Sequence, residues 1–189
     1  MRPELLSAHM TRTRVLDLRR ADDDSYAFHA SLVDQAQGGR YESGSDTEVV
    51  HNFSLKGRVA RADLRILELN VDATTHPYAA CPHILGVAQK LVGASLHVSW
   101  RKTVLKHLGG SQGCTHVTTL LLGLSELITP FYFLEVNDVL PYGKAARSDG
   151  RWMKACLDVS GSLDGACHVL ASDGDVIARA RETYGRRAQ

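Results

Sequence analysis

The residues whose types and spacing could do chemistry lie between Asp72 and Leu124. The stretch opens as Thr75-His76-Pro77-Tyr78-Ala79-Ala80-Cys81-Pro82 and returns as Gly109-Gly110-Ser111-Gln112-Gly113-Cys114-Thr115-His116. Each cysteine stands at the start of an expected helix, and histidines accompany both. The free amide groups of a helix's first turn favour thiolate over thiol, so a cysteine placed there is a candidate nucleophile or metal ligand. Cys114 with His116 is the strongest pair. Cys81, flanked by His76 and His83, has the same placement, with Pro82 suited to the first helical position. Zinc accepts Cys, His and Asp at tetrahedral geometry, although neither pair has the Cys-x-x-Cys or His-x-x-x-His spacing that marks a metal centre.

Each of these residues also has a plainer reading. Cys114 is equally suited to packing beside Val117 and Leu121 as a small hydrophobe. Cys167-His168 is a third pair, and Cys167 would complete a four-ligand set with Cys81, Cys114 and His116 if the tail folds back; core packing is the favoured alternative. Cys156 reads as a core residue. Asp34, Asp72 and Glu126 are carboxylates able to move protons, but an Asp ending a strand is more often a cap or turn residue. The glycines at 109, 110 and 113 lack a following Lys-Ser/Thr and do not follow a strand, so a phosphate-binding loop is rejected and no nucleotide cofactor is expected.

The elements that must position these groups fall into two kinds. Period-two alternation marks strands over Thr11 to Arg20, with Leu16 and Leu18 on one face and Arg12 and Arg14 further along the same side. It marks others over Tyr26 to Val33, from Val49 to Leu55 and over Leu64 to Val71. The last slips phase between Ile66 and Leu67, so either both its faces are covered or a bulge sits there. The polar, glycine-rich stretch from Asp34 to Asp46 reads as a loop. From His76 the period changes to 3.6. Three helices follow: Pro82 to Gly93; Ser99 to Leu108, stopped by Gly109-Gly110; and one from Gly113-Cys114 to Pro130 with Val117, Leu120, Leu121, Leu124, Leu127 and Ile128 on its apolar face. Arg151 to Val159 reads as a further strand. The expectation is therefore an α+β fold, an antiparallel meander packed against about three helices, with a C-terminal β or irregular segment returning to the sheet. Residues 1–10 read as a flexible lead-in and 11–189 as a single domain.

Bulk properties narrow the function classes. Hydrophobic residues are 44% and charged residues 23%, which argues against disorder. With 22 Lys and Arg against 21 Asp and Glu the formal net charge is +1, so no nucleic-acid partner is expected. No unbroken run reaches the roughly eighteen apolar residues of a membrane span. The N-terminus lacks the apolar centre of a signal peptide. A cytoplasmic protein with reduced thiols and no membrane partner is the expectation. The edge of the N-terminal hairpin leaves a homodimer open.

With those residues in view, the chain resembles a bacterial domain-of-unknown-function family, the one numbered 2889. The likeness rests on Pro77-Tyr78-Ala79-Ala80-Cys81-Pro82, Leu91-Val92-Gly93, Leu108 through His116, and the tail Cys167-His168 with Ser172-Asp173-Gly174. It runs from about Arg12 to Arg181, and Gly113-Cys114-Thr115-His116 is its most specific block. In layout alone the chain is similar to U-type iron–sulfur cluster scaffold proteins. That likeness would carry Cys81, Cys114 and Cys167 over as ligands, with His116 as a fourth group.

The function expected from all this is catalysis on a small organic molecule, with Cys114, His116 and Cys81 as the catalytic groups. The pocket would be walled by Tyr78, Trp100, Phe131 and Tyr132 and suited to an aromatic substrate. The resemblance implies a bacterial catabolic setting and so a lyase, with a hydrolase second. Histidine would transfer a proton while a thiolate, or zinc held by it, stabilises the developing anion; retro-aldol release of a small aldehyde fits such a set. The alternatives are a non-catalytic metal or cluster carrier using the same cysteines, and a partner-binding module in which they are core residues.

Overall fold

A computed structural model describes residues 8–38, 41 and 44–185. Contacts divide the chain into two compact units, Met1–Leu127 and Ile128–Gln189, where the sequence suggests one domain. Most of the expected lead-in, and residues 39, 40, 42 and 43 of the expected loop, lie outside the described residues.

In the first unit the alternating stretches become strands β1 (His9–Arg20), β2 (Ser25–Gln37), β3 (Thr47–Ala60) and β4 (Ile66–Thr75). They pair in chain order as one antiparallel sheet. All are longer than the alternation marks, because ladder hydrogen bonds continue where side chains become polar. β2 therefore runs on through Asp34 to Gln37 into the segment read as a loop. The phase slip in β4 is a bulge: Arg58 pairs with Glu68 and Val59 with Ile66, leaving Leu67 unpaired. Two further irregularities occur, between Asp34 and Gln35 in the β2–β3 ladder and between Asn52 and Phe53 in the β3–β4 ladder.

Helical elements cover one face of this sheet. The segment Cys81–Leu91 forms successive 3-10 turns rather than the expected α-helix. Leu85, Ala88 and Leu91 recur every third residue, which aligns them on one side at three residues per turn, and Ala88 and Leu91 are buried. The Gln89 side-chain amide fastens the segment by donating to the Leu69 carbonyl of β4. Helices α1 (Trp100–Leu108) and α2 (Thr115–Gly123) follow, and α2 packs on β2 and β3. Phe28, Leu32, Phe53 and Leu55 from the sheet and Leu108, Leu120, Leu121 and Leu124 from the helices are buried. Each such side chain contributes about 1.5–3 kcal/mol.

The second unit is helical: α3 (Ile128–Asn137), α4 (Lys144–Ser148), α5 (Arg151–Val159) and α6 (Asp175–Gly185). Its core gathers Val136, Ala146, Trp152 and Cys156. The expected strand over Arg151 to Val159 is thus corrected to a helix. Trp152 and Cys156 are four residues apart and share a helix face. Among the described residues no strand occurs after Thr75, so the tail does not return as β structure; the class remains α+β. The helical stretch Thr115–Asn137 is long and apolar enough to cross a membrane by length and composition. Thr118, Ser125, Glu126 and Glu135 interrupt it, so no unbroken apolar run exists, and Val117, Leu120, Leu121, Leu124 and Leu127 are core residues.

Candidate active site

Alternation along β2 turns Tyr26, Phe28, Ala30 and Leu32 inward, and the next inward position is Asp34, only 2% exposed. A carboxylate there must be paired, since an isolated charge among apolar neighbours costs several kcal/mol. Register supplies the partner: Arg12 lies directly across on β1. Its Nε donates to Oδ1 at 2.6 Å and its terminal nitrogen to Oδ2 at 2.7 Å, a two-pronged ion pair. Arg12 is 47% exposed, so one end of the pair stays hydrated while the other is enclosed.

On the other side β3 brings His51 opposite Asp34, and the next pair is Gln35 with Val49, so Val50 is the extra residue of a bulge. A bulge shifts the alternation by one, which leaves Val49 exposed while His51, Phe53 and Leu55 follow the inward phase. His51 Nδ1 sits 2.9 Å from Asp34 Oδ2.

The third contributor is α2. Gly113 approaches the Leu108 carbonyl so closely that a β-carbon there would collide with it. That permits a tight turn between α1 and α2, fastened by Thr118 Oγ1 donating to Leu108 O at 2.9 Å. Cys114 then caps α2 in extended conformation, as the Gly-Cys-Thr-His block suggests, and His116 lies in the first turn. His116 Nε2 is 3.5 Å from Asp34 Oδ2 and its Nδ1 is 3.7 Å from Cys114 Sγ. Its ring stacks on Phe53 at 5.3 Å and lies tilted by 32° against His51 at 3.9 Å between centroids.

The electrostatics follow from these contacts. Hydrogen bonding from Arg12 holds the Asp34 carboxyl below the usual carboxylate range, against the opposing effect of burial. His116 is pushed down, first by burial and then by the charges of His51 and Arg12, with Asp34 opposing only in part. A neutral His116 with its proton on Nε2 towards Asp34 leaves Nδ1 to accept a proton from the Cys114 thiol or from a substrate.

A cavity of about 600 Å³ opens beside this cluster and is lined by His51, His116, Cys114, Cys81, His83 and Tyr78 among others. Among the described residues no Lys, Arg, Asp or Glu lines it. Cys81, Cys114, His116 and Tyr78 are thus brought together. Trp100 is instead in the core, 4% exposed, with its indole N–H on Leu121 O at 2.7 Å. Phe131, Tyr132 and Cys167 belong to the second unit, where the two aromatic residues are buried and the cysteine is exposed. Of the three carboxylates considered, Asp34 is at the cluster, Asp72 is exposed, and Glu126 pairs with Arg14 at 3.5 Å.

Arg12 and His51 were not expected here. Their signal was alternation itself: Arg12 shares a face with Leu16 and Leu18, and His51 with Phe53 and Leu55. A polar residue in an inward phase calls for a buried partner.

A family model described as a protein of unknown function, DUF2889, matches residues 10–129, which takes in all of Arg12, Asp34, His51, Cys81, Cys114 and His116. No curated protein and no solved structure matches the chain.

Proposed function

The chain belongs to the DUF2889 family, and from its site we propose an enzyme that cleaves a small organic molecule by proton transfer: a lyase acting on a C–C or C–O bond of an aromatic or similarly apolar substrate. One observation carries this reading. Thiol, imidazole, buried carboxylate and guanidinium follow one another from Cys114 through His116 and Asp34 to Arg12, on the wall of a cavity with no fixed charge in its lining. A neutral imidazole backed by a locked carboxylate is a general base. In a retro-aldol cleavage, His116 takes the proton of a substrate hydroxyl and the C–O bond becomes C=O. The adjacent C–C bond breaks, its electron pair passes onto the oxygen of a substrate carbonyl conjugated with the carbon left behind to give an enolate, and that carbon recovers a proton from the imidazolium as the carbonyl re-forms. Amide groups of the first turn of α2 favour the developing oxyanion.

A hydrolase, with Cys114 as nucleophile and His116 as its base, comes second and draws on the same 3.7 Å contact. Two thiols on one cavity wall, Cys81 and Cys114, favour the non-catalytic metal-carrier reading next. A bacterial catabolic setting, the cytoplasm and a homodimer complete the proposal.

The test is aldehyde release, followed with an aldehyde-selective trapping reagent, from aryl ketones bearing a β-hydroxyl, beside a panel of aryl esters. Wild type is expected to release aldehyde and His116→Gln to be slower by about a hundredfold or more. Saturable binding with no product from either panel, or turnover unchanged in both His116→Gln and Cys114→Ser, would overturn the proposal.

A further inference from the structure

We propose that Asp34, His51 and His116 together hold one divalent transition-metal ion, a ligand set distinct from the cysteines that the sequence singled out. One ligand atom from each lies within 4.8 Å of the others. Asp34 Oδ2 is 2.9 Å from His51 Nδ1 and 3.5 Å from His116 Nε2. Two ligands each about 2.1 Å from one ion stand about 3.0–3.4 Å apart at octahedral or tetrahedral angles, so the present spacing needs little rearrangement to admit a cation. The three groups come from β2, β3 and α2, and two of them sit beside features that fix the backbone locally: the bulge at Val50 and the tight turn at Gly113.

The outer layer is also in place. A ligating carboxylate is normally held by further hydrogen bonds, and a ligating imidazole normally has a partner for its other nitrogen. Arg12 grips both oxygens of Asp34, and Cys114 Sγ stands by the far nitrogen of His116. Two imidazoles and one carboxylate suit zinc, iron(II), cobalt(II) or manganese(II) rather than calcium or magnesium. Three protein ligands leave coordination positions open, and because His51 and His116 line the cavity those positions face it.

Charge then narrows the substrate. Arg12 already neutralises Asp34, so a divalent ion brings two uncompensated positive charges to a wall whose lining offers no carboxylate. The compensation comes from the occupant: a substrate that binds the ion through an anionic oxygen, an alkoxide, enolate or phenolate. The inference shares its residues with the lyase reading but does not depend on turnover.

The experiment is a titration of chelator-stripped full-length chain with cobalt(II), read by its visible absorption, followed by displacement with zinc. One ion per chain is expected. Asp34→Asn and His51→Gln should each weaken binding by about tenfold or more, while Cys81→Ser and Cys167→Ser leave it unchanged. Near-ultraviolet circular dichroism checks each fold, and the His51→Gln variant, whose ring is 17% exposed against 2% for Asp34, stands in if Asp34→Asn unfolds. Absence of stoichiometric binding, binding that survives loss of both histidines, or binding lost with Cys81 would overturn the metal site. Aldehyde release by a chain that takes up no ion would sink the ion and keep the lyase; tight binding with no turnover would do the reverse.

Discussion

Removing Arg12 should cost more stability than neutralising the carboxylate it holds. Arg12→Ala leaves Asp34, 2% exposed, without its two strongest hydrogen bonds. Breaking a fully buried pair costs about 3–5 kcal/mol, whereas an exposed pair is worth about 0–1 kcal/mol. Here the carboxylate is enclosed, the guanidinium is half in water, and His51 still reaches Oδ2 at 2.9 Å. The estimate is therefore about 2–3 kcal/mol. Asp34→Asn keeps the shape and one acceptor, and the half-exposed Arg12 can turn to solvent, so about 1 kcal/mol is expected.

The assay is urea unfolding followed by Trp100, which is buried in the unit carrying the site, in a Trp152→Phe background. At a slope of about 1.5 kcal/mol per molar, the Arg12→Ala midpoint should fall by about 1.3–2 M. The pH dependence has a definite sign. A carboxyl held below its unfolded value of about 3.9 contributes stability that is present above that pH and lost as pH falls through the lower folded value. The gap between wild type and Arg12→Ala should thus be full at pH 7 and close below about pH 4. A loss under about 0.5 kcal/mol at pH 7, or a larger loss for Asp34→Asn than for Arg12→Ala, would refute this reasoning.

Two more outcomes can be checked in the same preparation. Burial raises the Cys156 thiol to about 11, so at pH 8 iodoacetamide should label exposed Cys167 and leave Cys156 untouched until the chain unfolds; equal rates would contradict the placement of Cys156. Gly113→Ala should destabilise the first unit by about 1–3 kcal/mol, because its β-carbon meets the Leu108 carbonyl, and should slow turnover more than Gly86→Ala, where the space is open. Equal effects of the two substitutions would remove the turn's role in placing Cys114.

The sheet was legible because half-buried strands announce themselves by alternation, and the bulge at Leu67 showed as a phase slip. Helix α2 was legible from its apolar stripe and from the glycine before Cys114. Helix α5 was misread, since nine residues with apolar positions at 152, 153, 155, 156, 157 and 159 fit either period in part. The bulge at Val50 left no such trace: Val49, His51, Phe53 and Leu55 alternate without interruption, and only pairing across the sheet shows that Val49 has changed sides. Asp34 was visible as a carboxylate but read more readily as a turn residue. Nothing short of register could place Arg12 against it, because residues 22 positions apart meet only through the β1–β2 ladder.

What most directly tests the idea of one buried carboxylate governing two imidazoles is the nitrogen-15 spectrum of the histidine rings across pH, in wild type and in Asp34→Asn. His116 should remain neutral to a pH below the ordinary histidine value of about 6.5, because burial and the charges of His51 and Arg12 oppose its protonation. Asp34→Asn should alter the ring signals of both His51 and His116 and leave those of exposed His83 in place. If His116 stays protonated up to the ordinary histidine value, or if the substitution changes neither ring, then the carboxylate does not organise the pair.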